Sequence, residues 1–197
     1  MVIRYFAKMK VILIMRKVFL LAVIGLCLSS SLIAQIKVVH FKKLQQFLPT
    51  ELLEFDRHKP SGSTQTAMGF TTSEATVEYN SKVSEKEGDT TVPVSIRVKI
   101  SDVVFMPYAV AAFTMMAQQN MSSENENGYE KTISVKNTYP GKVSAQTGEY
   151  KSLKYEFGVS TRFLVELEMN GAVSEELMNK LIGSMDLETL AKTEGDK

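Results

Sequence analysis

Tryptophan is absent from the 197-residue chain, cysteine occurs once and histidine twice. The single Cys27 lies in an apolar N-terminal run, where it serves as a small hydrophobe, so the rest of the chain has no thiol for a disulfide, a nucleophile or a zinc ligand. No Gly-x-Ser-x-Gly elbow and no Gly-x-Gly string occurs, which removes the usual serine-hydrolase and phosphate-cradling loops. No apolar run reaches the roughly 20 residues that a transmembrane helix needs. With 44% hydrophobic and 23% charged residues, what remains is the composition of one globular domain.

The N-terminus carries a secretory pattern. Met15-Arg16-Lys17 starts a basic region, Val18 to Leu28 is an apolar core and Ser29 to Ala34 is a small-residue exit. Residues 1–34 are therefore expected to be a signal peptide, cleaved after Ala34, with Met15 an alternative start. Leu32 is larger than the cleavage pattern prefers, which leaves an uncleaved anchor as the other outcome. Five cationic side chains and no acidic ones fall in this segment, so the mature chain has 18 cationic against 22 acidic residues, net −4. A mildly acidic domain without basic clusters is a poor partner for nucleic acid. The expected location is periplasmic or secreted, with no membrane span in the mature chain.

Residues 35–192 read as one domain, followed by a polar tail at 193–197. His40 to Leu48 has helical spacing and ends at Pro49, and Glu51 to Phe55 adds another turn. Asp56 to Gln65 reads as a surface loop. Alternation of period two around the Glu85 to Asp89 turn predicts a hairpin, with Ala75, Val77 and Tyr79 on one strand and Val94, Ile96, Val98 and Ile100 on the other. An uncharged segment, Val103 to Ser123, has Pro107 near a helix start. Strands are expected at 129–136, 139–145, 151–159 and 161–169. A helix capped by Ser174 follows, with Gly183 at its left-handed end, and then a last turn at 186–191. The order predicts an α+β fold, a mostly antiparallel sheet of about six strands with helices packed on one face and the other face wholly or partly wet.

From Val94 to Leu190 the strings VSIRVKI, YKSLKYEF, TRFLVELE and SEELMNKLIGSMD, with the uncharged helix between the first two, resemble the element succession of PsbP-like domains. The chain is also similar to uncharacterised exported bacterial proteins that share GYEKT and RFLVELE-type strings, here 128–132 and 162–168. The first resemblance implies an α/β/α sandwich and a non-catalytic accessory or assembly role.

Three constellations invite chemistry. Glu54, Asp56 and His58, spaced at two, share one side of an extended segment and offer hard ligands for a divalent cation or a metal-dependent enzyme, although Arg57 and Lys59 interleave with them. Asn125, Asn127 and Gly128 resemble a calcium loop until its first and twelfth positions fall on Ser123 and Ser134. Met115, Met116 and Met121 offer thioethers to Cu(I), but with no Met-x-Met or Met-x-x-Met repeat and no nearby histidine. Neither a metal nor another cofactor is expected.

The uncharged helix is the better candidate. Phe105, Met106, Tyr108, Val110, Phe113, Met115 and Met116 spread over roughly 220° of it, and a helix on one sheet face uses a stripe of about 100° or slightly more. Either a terminal helix covers the surplus, or Phe105, Met106, Tyr108, Phe113, Met115 and Met116 form a ligand or partner surface. The expected function is an exported binding or accessory module, with an envelope protein or a second copy as partner. The alternative is a carrier holding a small apolar ligand between sheet and helix.

Overall fold

The computed structural model describes residues 37–195, except 51, 53, 83, 84, 88, 89, 93 and 149. The expected signal segment, its start at Met15, its cleavage site and Cys27 lie outside the described residues, as does the end of the polar tail.

The chain runs from α1 (Phe41–Leu44), continued by a 3-10 turn, into β1 (Phe55–Arg57), β2 (Ser61–Ala67) and β3 (Phe70–Ser81). The short strands β4 (Glu85–Glu87) and β5 (Thr90–Val92) precede β6 (Ser95–Asp102) and helix α2 (Pro107–Gln119). Strands β7 (Ser122–Asn125), β8 (Gly128–Val135), β9 (Tyr139–Gln146), β10 (Ser152–Val159) and β11 (Phe163–Asn170) follow, and α3 (Glu175–Ser184) and α4 (Leu187–Ala191) close the fold. A nine-stranded antiparallel sheet has the order β1-β3-β6-β11-β10-β9-β8-β7, with β2 also paired to β3. The fold is thus α+β, with a large antiparallel sheet and helices packed against it.

Register explains the core. Val77, Val98, Leu167, Tyr155 and Val143 stand opposite one another across β3, β6, β11, β10 and β9, and all five are buried. Since side chains alternate across a strand, one apolar row on each strand makes one apolar face. Met178, Leu181 and Ile182 of α3, Leu187 and Leu190 of α4, and Val39, Leu44 and Leu48 near the N-terminus complete this core.

Helix α2 lies on the opposite face. Leu153, Tyr155 and Phe157 of β10 point to the main core, whereas Gly158 has the other parity, and Val110 Cγ1 stands 2.4 Å from where a Gly158 Cβ would be. The arrangement therefore has more strands than the six expected and helices on both faces, with the second face only partly covered.

Five local expectations change. The 56–65 loop contributes β1 and β2, whose polar Ser, Thr and Gln residues satisfy an edge strand without an apolar signature. Ser122 to Gly128 includes β7 rather than a plain connector, and the 85–89 turn holds part of a small hairpin, β4 with β5. Gly183 sits inside α3, which ends at Met185 in extended conformation, so no left-handed glycine cap forms. The N-terminal helix is only one turn before its 3-10 continuation, with the His40 ring nitrogen accepting from Lys42 N.

Candidate interaction surface

Helix α2 starts with proline at its first turn, where no amide hydrogen is required, and ends at Asn120 in the left-handed region (φ 48°). Its inner side is narrow: Val110 and Phe113 are buried. Tyr108 is 70% exposed and Met115 62%. Phe105, Met106 and Met116 are half-buried. The candidate set therefore divides, with Phe113 a packing residue and Tyr108 and Met115 on the outer side, about 10 Å apart along the helix at 1.5 Å per residue. The terminal helices do not cover this surplus, because α3 and α4 pack on the other sheet face.

A second apolar feature stands at the same end of the sheet. Ala67 pairs with Phe70 across a two-residue turn in which both Met68 (φ 52°) and Gly69 (φ 81°) are left-handed. Such turns favour Asn-Gly, since a side chain other than Asn or Asp gains nothing from positive φ. Met68 is nonetheless 97% exposed, and Phe70 is 56% exposed. The Phe70 ring meets Phe105 edge-on, with centroids 6.3 Å apart and planes at 69°. Sequence reasoning missed Met68 and Phe70 as surface residues. The available signal was the absence of any charge from residue 60 to residue 73, parallel to that from 103 to 123.

Asp102 fixes how these pieces meet. Its fully buried carboxylate accepts hydrogen bonds from Val39 N at 2.6 Å, Val104 N at 3.1 Å and the Arg162 guanidinium. Arg162 also donates to the Lys37 carbonyl at 2.6 Å. One carboxylate thereby ties the N-terminal segment, the lead into α2 and the β10–β11 turn to the sheet end where Phe70 and Phe105 stand. Paired and hydrogen-bonded on this scale, it avoids the cost of an isolated buried charge.

The part of the second face outside α2 is a ladder of ions. Glu166 faces Lys99 directly and Lys154 diagonally at 3.3 Å, Lys154 meets Glu156 at 2.9 Å, and Lys142 links Glu156 at 3.4 Å to Glu130 at 3.0 Å. Burial alone would raise the Glu166 carboxyl, but the ammonium groups of Lys99 and Lys154 hold it below the usual carboxylate range. A shallow cavity of about 330 Å³ opens here between Glu74, Arg97, Lys99, Lys154, Glu166 and Glu168. Its three cations and three anions balance, leaving no net field to select a charged ligand.

The other candidates disperse. His58 Nε2 pairs with Asn80 Nδ2 at 2.9 Å and Asp56 faces Lys82 at 3.7 Å, while Glu54 occupies a left-handed turn (φ 74°). Among the described residues no three His, Cys, Asp or Glu side chains lie close enough together to hold a metal ion, so the Glu54, Asp56 and His58 site does not form. The Asn125 side chain accepts from Asn127 N at 2.8 Å, an ordinary polar turn between β7 and β8. Met115 and Met116 are neighbours on a helix and project about 100° apart, which does not aim both thioethers at one ion.

No family model, curated protein or solved structure matches the chain. Among the described residues no helix is long and apolar enough to cross a membrane.

Proposed function

We propose that the chain is an exported, non-catalytic binding or accessory module that works through the apolar surface formed by the outer side of α2 and the β2–β3 tip. The observation that carries this reading is the exposure of Met68, Phe70, Tyr108 and Met115 on two segments without a single charge. Contiguous exposed apolar surface on a folded domain marks a contact site. Export follows from the basic, apolar and small-residue order of residues 15–34. The resemblance to PsbP-like accessory proteins points the same way. A surface suits the structure better than an enclosed ligand cavity, since Val110 already touches the sheet at Gly158.

A titration with a hydrophobic dye tests the reading. The purified protein binds the dye, and the double variant Tyr108→Ser, Met115→Ser binds less without a lower unfolding midpoint. A protein that binds no dye, or a variant that binds as well as the parent, removes the surface.

A further inference from the structure

We infer that the occupant of this surface is a lipid bilayer, into whose interfacial layer the β2–β3 tip inserts Met68 and Phe70 with Phe105 and Tyr108 behind them. The inference rests on the reading of this surface as the working part of the molecule and names its partner. Its first support is shape and chemistry together. The tip is a two-residue turn, convex and apolar, carrying a methionine with 97% of its surface in water in a backbone conformation that favours asparagine or glycine. Neither the turn nor the core gains from a methionine there, and a fluid apolar phase accepts a protruding side chain without a preformed socket. Phenylalanine and tyrosine behind such a tip suit the boundary between acyl chains and headgroups.

The second support is charge. The domain is acidic, net −4 from residue 35 onward, and an anionic surface repels most of it. Residues 60–73 and 103–123 carry no charge, and the topology brings Phe70 of the first segment against Phe105 of the second. The domain therefore offers a neutral end for approach.

The absence of tryptophan makes the test direct. Full-length protein with Met68→Trp, and a control with Tyr150→Trp at the opposite sheet end, are mixed with vesicles of phosphatidylcholine and phosphatidylglycerol with and without brominated acyl chains. Circular dichroism first establishes that both variants keep the parent's fold. The inference predicts a blue shift and loss of emission for Met68→Trp with brominated lipid, no change for Tyr150→Trp, and a weaker response when Phe70→Ser is added. Emission from Met68→Trp that stays red and unquenched overturns it. A blue shift without bromine quenching, accompanied by a doubled mass, overturns it in favour of a second copy. If Met68→Trp is already blue-shifted and shielded from iodide before vesicles are added, the tip is covered within the chain, and the surface reading fails as well.

Discussion

Arg162 clasps the buried carboxylate of Asp102, its Nε 3.0 Å from both oxygens and its Nη2 2.6 Å from Oδ2. Val39 N and Val104 N complete the same carboxylate. Removing Arg162 leaves the charge of Asp102 buried without its counter-ion, which costs about 3 to 5 kcal/mol for buried pairs. Arg162→Ala should therefore lower the urea midpoint strongly, and Arg162→Lys should restore part of it. A loss below about 1 kcal/mol, the size of a surface ion pair, would show that the clamp does not hold in solution.

Val110 and Gly158 make a complementary pair across helix and sheet. Gly158→Ala places a methyl group against Val110 and should cost about 1 to 3 kcal/mol, the usual range for overpacking. Val110→Ala should relieve much of that cost in the double variant. Additive losses in this cycle would mean that α2 does not rest on Gly158.

Met68 is a test of surface against stability. Asparagine accepts the left-handed turn more readily, so Met68→Asn should raise stability by up to about 1 kcal/mol while reducing contact through the tip. Thermal melts and vesicle sedimentation measure the two properties separately. A destabilised Met68→Asn would assign the methionine a packing role instead.

Glu166 gives a pH prediction with a definite sign. Its carboxyl titrates lower in the folded chain than the ordinary value of 4.5, because Lys99 and Lys154 outweigh its burial. The folded state therefore gains from Glu166 above about pH 4.5, and that gain disappears as pH falls through the lowered value. Glu166→Gln should be less stable than the parent near neutrality and should converge with it in acid. Parallel stability curves down to the acid limb would contradict the ladder.

The α+β class and the paired faces of β3, β6, β10 and β11 were legible because each strand writes its burial as strict alternation, as in Phe163, Val165, Leu167 and Met169. Edge strands leave no such trace: Ser61 to Ala67 is held by backbone pairing to β3 and needs no apolar residue at alternate positions. The surplus of apolar side chains on α2 was equally visible, but which of them the sheet takes depends on Gly158, 45 residues after Phe113. The tip was hidden for a different reason. Met68 and Phe70 acquire meaning only when antiparallel pairing carries them to Phe105, a contact across 35 residues of sequence.

Hydroxyl-radical footprinting of the protein in its own cell envelope, compared with the purified chain, measures the use of the surface directly. Met68, Phe70, Tyr108 and Met115 should react readily when purified and be protected in the envelope, while Tyr150, 82% exposed at the other end of the sheet, reacts equally in both. Met178, buried under the sheet, should stay unreactive throughout. Equal reactivity of Met68 and Tyr108 in the two preparations would contradict the account.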